Sequence, residues 1–273
     1  MRAPARSRKH QPVFDSHAHL QDARIGDPAA VWARARTAGV THVLLAGVDA
    51  ADWERQAALE HLGGISCSIG VHPQVVDALS QAEREAQMEA LERALQHRRP
   101  SVVALGEIGM DGVGKRRATY GAQAELFEAQ LRLAHAHGLP VILHVLRAHE
   151  EALKVLDRVG VPRAGGVVHS YSGSAELVPR YVEHGLHLSF SGSVTWHEGG
   201  RAARAVRACP LDRLLVETDT PDQTPKAHRP ALNEPAFLLD IVRAIANLRG
   251  MPFDEIAAVT ARNACHTFHL EAA

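Results

Sequence analysis

Short apolar runs rich in Val, Ile and Leu alternate along this chain with longer stretches whose apolar residues recur at helical spacing. One junction repeats: a helical stretch ends in Gly, and a β-branched run follows within a few residues. It occurs at Ala38-Gly39-Val40 before Val43-Leu44-Leu45 and at His137-Gly138-Leu139 before Val141-Ile142-Leu143. It recurs at Val159-Gly160-Val161 before Val167-Val168 and at His184-Gly185-Leu186 before Leu188. Gly suits the left-handed position that closes a helix, so these are helix-to-strand junctions. A Ser80-x-x-Glu83 capping box opens a further helix that runs to about residue 97. Taking the apolar runs as strands gives eight, ending near His17, Ala46, Val71, Gly106, His144, His169, Ser189 and Glu217. The last helices are expected over residues 233–249 and 252–266.

Strict alternation of strand and helix predicts a parallel sheet, and eight units predict an α/β fold of the (β/α)8 TIM type. An open doubly wound sheet is the alternative, weakened because no G-x-G-x-x-G follows the first strand. The length of 273 residues suits one such barrel, which needs about 250. No linker or low-complexity segment divides the chain, so residues 13–273 read as a single domain. Residues 1–12 carry Arg2, Arg6, Arg8 and Lys9 without an acid or an apolar run. They read as a solvated, disordered basic tail rather than a signal peptide, with attraction of nucleic acid as the alternative role.

Charge narrows the function classes. Lys and Arg number 30 against 31 Asp and Glu, for a formal net charge of −1. That balance speaks against a broad basic face gripping duplex DNA, yet leaves room for an enzyme handling a few nucleotides in a pocket. No apolar run is long enough to span a bilayer. Cys67, Cys209 and Cys265 are far apart with no C-x-x-C spacing, which suits a reduced cytoplasmic setting. No obligate protein partner is expected.

The candidate chemistry collects where strands end, and in a barrel all those ends open onto one face. The first strand carries Phe14-Asp15-Ser16-His17-Ala18-His19, the third ends at His72, and the fourth carries Gly106-Glu107. His144, His169 and Glu217-Thr218-Asp219 follow at the fifth, sixth and eighth. Residues two apart on a strand face the same way, so His17 and His19 can share one metal. With 18 histidines in the chain an H-x-H pair is expected by chance, and a second one, His135-x-His137, lies on a predicted helix where its members diverge. Recurrence of ligand types at successive strand ends carries the weight that a single pair cannot. Four imidazoles and two carboxylates serve two divalent ions only if one carboxylate bridges, and Glu107 lies between the early and late ligands. The nitrogen-rich set suits Zn²⁺, Mn²⁺, Fe²⁺ or Co²⁺ better than Mg²⁺ or Ca²⁺, although softness leaves the metal open and Mg²⁺ among the candidates.

These motifs resemble the TatD family of metal-dependent deoxyribonucleases, within the amidohydrolase superfamily. The resemblance runs from Phe14 through Gly70-Val71-His72-Pro73, Gly106-Glu107-Ile108-Gly109-Met110-Asp111 and His169-Ser170-Tyr171-Ser172-Gly173. It continues through Glu217-Thr218-Asp219-Thr220-Pro221 and Asn233-Glu234-Pro235 to the final helix. It implies one metal on His17, His19, Glu107 and Asp219 and a second on Glu107, His144 and His169. Asp219 would also orient or deprotonate the attacking water, and His72 would lie near the substrate rather than on a metal. Two departures bear on the substrate. Where family members often carry Ser-Arg after the fifth-strand histidine, this chain has Val145-Leu146, with Arg147 one place later; a frequent aromatic residue is replaced by Gly112.

The function this predicts is hydrolysis of a phosphodiester in DNA or a small ester, exonuclease-like in scale. Arg147, Ser172 and Trp196 are candidate substrate contacts alongside His72, and backbone N–H groups around Ser170–Gly173 and Gly192–Ser193 are candidate phosphate donors. The rival activity is cleavage of an amide, lactone or carboxylic ester at the same metals. A non-catalytic barrel binding metal or nucleotide is the remaining alternative.

Overall fold

The computed structural model describes residues 12–271, so the expected basic segment at the N-terminus lies almost wholly outside the described residues. Eight strands form one parallel sheet in sequence order: β1 (Val13–Ala18), β2 (Val40–Leu45), β3 (Ile65–Ile69), β4 (Val102–Asp111), β5 (Val141–Leu146), β6 (Gly166–Val168), β7 (Leu186–Phe190) and β8 (Leu214–Val216). Among the described residues nine α-helices lie between and after them: α1 (Pro28–Ala38), α2 (Ala50–Ala57), α3 (Gln81–Gln96), α4 (Tyr120–His137), α5 (His149–Val159), α6 (Val178–Glu183), α7 (Arg201–Ala208), α8 (Leu238–Arg249) and α9 (Phe253–Thr267). The molecule is a (β/α)8 barrel, as the alternation predicts. Among the described residues no helix is long and apolar enough to cross a membrane.

Local sequence explains the helix ends. Ser80 and Glu83 form the reciprocal capping box of α3, with Ser80 N–H donating to Glu83 Oε2 at 2.7 Å. Gly39 and Gly138 close α1 and α4 in the left-handed conformation, at φ 112° and 62°. The helix expected from residue 233 starts later, at Leu238. Asn233 is instead buried beneath the β8 loop, its Nδ2 donating to Thr218 O (2.7 Å) and Asp222 O (2.8 Å).

One apolar layer fills the barrel's interior near its base. Phe14, Leu44, Ala104, Ile142, Val167 and Leu215 meet there, with Ala261, Ala264 and Phe268 of the last helix and its end packed beneath. A larger apolar cluster lies between the sheet and the surrounding helices. No backbone ladder joins β8 to β1 among the described residues, and side chains and loop amides bridge that seam. Ser16 Oγ donates to Val216 O (3.0 Å), Asp15 accepts from the amide and hydroxyl of Thr218 (2.8 and 2.5 Å), and Asp219 N donates to His17 O (2.9 Å). Asp15 is fully buried, and burial pushes its carboxyl up to about 8 despite the Thr218 bonds.

β4 is longer than its apolar run suggests, continuing from Gly106 to Asp111. Its pairing with β5 shifts register between Leu105 and Ile108, and Glu107 N donates to Gly47 O (2.9 Å). Such irregularities re-aim a side chain, and here the residue re-aimed is Glu107. Further along, Gly109 has φ 136° and its Cα faces the His144 backbone, where a Cβ would collide with the His144 carbonyl.

Candidate metal centre

The strand ends bring the six predicted ligands together, five of them gathered around Glu107. Its Oε2 lies 3.2 Å from His17 Nε2 and 3.6 Å from His19 Nε2. Those two imidazole nitrogens are 3.2 Å apart, and each lies 3.9 Å from Asp219 Oδ1. The other oxygen, Oε1, faces a second set: His169 Nε2 at 2.6 Å, His144 Nδ1 at 2.7 Å and His72 Nε2 at 2.7 Å. His144 Nδ1 and His169 Nε2 stand 3.1 Å apart. His72, expected beside the substrate, is therefore also within reach of Glu107, and its Nδ1 accepts from Gln74 N (3.0 Å).

These separations fit divalent ions. Ligands about 2.0–2.2 Å from a tetrahedral zinc are themselves a little over 3 Å apart, which is close to the spacing of the His17, His19 and Glu107 set and of the His144–His169 pair, whereas the contacts to Glu107 Oε1 are shorter, at 2.6–2.7 Å. Two imidazole nitrogens facing each other at 3.1–3.2 Å cannot both be protonated without repulsion, whereas a shared cation satisfies both. Burial lowers His17 and His72 to about 4, leaving free lone pairs. Burial pushes the Glu107 carboxyl up, but His169, His72, His17 and His144 outweigh it and hold the carboxyl well below its usual range. Burial also disfavours a charge on His169 and His144. Glu107 and Glu217 nevertheless raise His169 well above its ordinary value, and Asp111 and Glu107 raise His144. The buried carboxylates thus attract positive charge to this spot. The Asp219 carboxyl is raised to about 7, by burial first and then by Glu217 and Glu107, against the pull of His169 and His19.

Groups behind the ligands orient them. Asp111 Oδ2 lies 3.1 Å from His144 Nε2, a contact that orients the ring with Nδ1 toward Glu107. Glu217 Oε1 is 3.5 Å from His169 Nδ1 and accepts from Ser170 N at 2.5 Å. The His17 and His169 rings stack at 3.9 Å, which ties the two ligand sets together. The sequence reading assigned no role to Asp111 or Glu217. For Asp111 a signal existed: Glu107, Gly109 and Asp111 alternate along one strand and so share a face.

The centre opens into a cavity of about 700 Å³, within the usual range for small-ligand sites. Ser172 and Trp196 line it. Ser172 Oγ donates to Val145 O (3.2 Å), and the Trp196 indole N–H donates to Thr224 O (2.9 Å) while Arg229 lies over its ring at 4.8 Å. Arg147 is not brought to the cavity. It is exposed, with left-handed backbone (φ 54°), and Leu146 lines the wall in its place. Two anticipated phosphate donors are engaged elsewhere: Ser170 N on Glu217, and Tyr171 N on Ser189 O (2.9 Å). The substitution at Gly112 also has a local reason, since a Cβ there would collide with the Tyr120 hydroxyl and come within 2.6 Å of Arg147 O. Three cavity arginines escaped the sequence reading: Arg24, Arg116 and Arg201.

An eight-stranded barrel with histidine and carboxylate ligands gathered at its strand ends defines a class, the metal-dependent hydrolases built on (β/α)8 barrels. Within that class the family model described as "TatD related DNase" matches residues 14–269, and the chain belongs to the TatD family. It is 34% identical over 260 residues to the Bacillus subtilis protein named "Uncharacterized metal-dependent hydrolase YabD", covering 94% of this chain and 99% of that one. It is also 34% identical over 266 residues to the Erwinia amylovora protein named "3'-5' ssDNA/RNA exonuclease TatD", covering 94% of this chain and 100% of that one. The crystal structure of YjjV, a TatD homologue from Escherichia coli, superposes with a TM-score of 0.88 at 31% identity, covering 95% of this chain and 98% of that one. The protein is thus a metal-dependent hydrolase of the TatD family.

Proposed function

We propose that the protein is a two-metal phosphodiesterase acting on DNA or a short phosphodiester from a chain end. The observation that carries this is the division of Glu107: one carboxylate oxygen faces His17 and His19, which have Asp219 beside them, and the other faces His144, His169 and His72. In this reading His17, His19, Glu107 and Asp219 would hold one ion and Glu107, His144 and His169 a second, with Zn²⁺, Mn²⁺, Fe²⁺, Co²⁺ and Mg²⁺ as candidates. When bound, such a pair supplies Lewis acidity toward a phosphoryl oxygen and makes water a better nucleophile at neutral pH. Asp219 accepts the proton of the attacking water at its carboxylate. Its side chain is less enclosed than that of Glu107 (14% against 2% exposed), and its backbone, at φ 59°, donates an N–H hydrogen bond to His17 O. Trp196, fixed by Thr224 and Arg229, offers an aromatic surface for a base, and His72 and Ser172 complete the substrate wall.

The name borne by the Erwinia amylovora relative supports a nucleic acid substrate. The formal net charge of −1 favours ends and short strands held in the cavity over long duplexes. A second reading, cleavage of a lactone, amide or carboxylic ester, draws support from the apolar Leu146 on the cavity wall.

The test is metal content measured after chelator-free purification, followed by assays on single-stranded DNA, a p-nitrophenyl phosphodiester, lactones and amides with Mg²⁺, Mn²⁺ and Zn²⁺. About two equivalents of metal with mononucleotide release supports the reading. Turnover of lactones or amides alone replaces it with the second. Asp219→Asn is expected to abolish turnover while sparing metal content, and normal activity in that variant overturns the role given to Asp219.

A further inference from the structure

The cavity's cations differ in how far their hydrogen-bonding capacity is already used. Arg24 is committed: its guanidinium donates to Asp22 at 2.8 and 3.0 Å and to Asp222 at 2.9 and 3.0 Å. Arg201 opens α7 as an exposed residue, and among the described residues no carboxylate lies within ion-pair distance of it. Solvent screens a charge in that position, so it discriminates weakly between ligands. Arg116 differs from both. Its side chain is 28% exposed and lies 3.6 Å from Asp111 Oδ2, close enough for attraction but too long for a hydrogen bond. That oxygen is already engaged by Gln74 Nε2 (2.9 Å) and His144 Nε2 (3.1 Å). The Arg116 Nε is buried and has no partner among the described residues.

The backbone around Arg116 is held in place. Gln123 is buried, accepts from Asp111 N (2.8 Å) and donates to Arg116 O (2.9 Å); Thr119 Oγ1 donates to the same carbonyl (2.9 Å). The connection from β4 to α4 therefore presents a partly desolvated guanidinium at the cavity, beside the Asp111–His144 pair, on a fixed backbone. Hydrogen bonds from such a group to an anion are strong because the donor is charged and little ordering remains to be done.

We propose that Arg116 is the residue by which this cavity recognises an anionic substrate, donating to a non-bridging phosphoryl oxygen at the His144 side of the centre. The assignment rests on the phosphodiester reading above. It gives that reading a specificity determinant: a singly charged phosphodiester gains the contact, and an uncharged ester does not.

The test uses Arg116→Met, which keeps the stem but removes the donors, and Arg116→Lys, which restores a charge. Metal content and thermal stability are measured first, because a merely structural role for Arg116 behind Asp111 and His144 would lower them. With metal content retained, two readouts follow: KM and kcat for bis-p-nitrophenyl phosphate, and calorimetric binding of inorganic phosphate to the metal-loaded protein. Arg116→Met is expected to raise KM, and to weaken phosphate binding, about ten- to a hundredfold, with a smaller change in kcat and partial recovery in Arg116→Lys. Unchanged KM and unchanged phosphate affinity overturn the inference, as does a loss explained entirely by lost metal. If the wild-type protein does not turn over the diester with any metal, the phosphodiester reading fails, and phosphate binding alone decides whether Arg116 is the anion contact.

Discussion

Replacing Asp111 by Asn separates the two halves of the proposed centre. Asp111 Oδ1 accepts from Val113 N (2.7 Å), while Oδ2 faces Gln74 Nε2 (2.9 Å), His144 Nε2 (3.1 Å) and Arg116 Nη1 (3.6 Å). Every neighbour is therefore a donor or can act as one. Burial pushes this carboxyl up, but His144, the Val113 amide and Gln74 outweigh it and hold it at about 2, so it acts as a permanent anion. Asparagine matches it in shape but must turn an NH₂ group toward one of the two donor sets. The tolerable arrangement keeps the carbonyl on Val113 N and points the NH₂ at His144, which then accepts at Nε2 and carries its proton on Nδ1. That nitrogen is the one facing Glu107, where the proposed second ion would be held. Loss of such an orienting carboxylate typically weakens metal binding about 10- to 100-fold, or roughly 1.4–2.7 kcal/mol. The set built on His17 and His19 does not touch Asp111, so its affinity is expected to stay within about threefold of wild type. The assay is a titration with a competing chromophoric chelator, in which two steps are resolved and only one moves. Two unmoved steps would refute the orienting role of Asp111, and two equally moved steps would refute the division of ligands between the oxygens of Glu107.

Other expectations follow from the same geometry. Gly109→Ala forces a side chain onto a backbone at φ 136° against the His144 carbonyl; a loss of roughly 2 kcal/mol or more is expected in urea unfolding, and a change under about 0.5 kcal/mol would show that the strand can shift freely. His42 is lowered to about 4 by burial, with its Nε2 2.9 Å from Ser66 Oγ. The unfolded chain binds the extra proton first, so stability falls as pH drops from about 6.5 toward 4. His42→Gln should lose about 1–2 kcal/mol less than wild type between pH 7 and 5, and identical losses would refute the burial argument. Burial pushes the Cys67 and Cys209 thiols up to about 12, whereas Cys265 is partly exposed. A thiol reagent should label Cys265 alone in the native protein and all three on unfolding, and rapid native labelling of Cys67 or Cys209 would contradict that packing.

The barrel and most of the ligand set were legible because both are written in local pattern. Apolar runs bounded by Gly set the strands, and parallel order places their ends on one face, so His17, His19, Glu107, His144, His169 and Asp219 could be named as candidate ligands, and the structure brings them together. Three things were not legible. The extension of β4 to Asp111 follows an irregularity at Glu107 that period-two reading misses. The late start of α8 depends on Asn233 binding backbone carbonyls in the β8 loop. The cavity's cation was misplaced: Arg147 follows the fifth-strand histidine His144 by three residues yet is exposed and off the cavity, while Arg116 reaches the cavity from the preceding loop. The run Lys115-Arg116-Arg117 in an otherwise balanced chain was the available signal.

Sequence by itself determined the alternation of elements and the chemical types of the ligands, since hydrophobic period, helix caps and residue identity act within a few positions. Only the tertiary structure decided which oxygen of Glu107 faces which imidazoles, that Asp111 backs His144, and that Asp15 reaches Thr218 across 203 residues to bridge the seam. Those contacts depend on side-chain direction over a few tenths of an ångström, set by register shifts and packing between segments far apart in the chain.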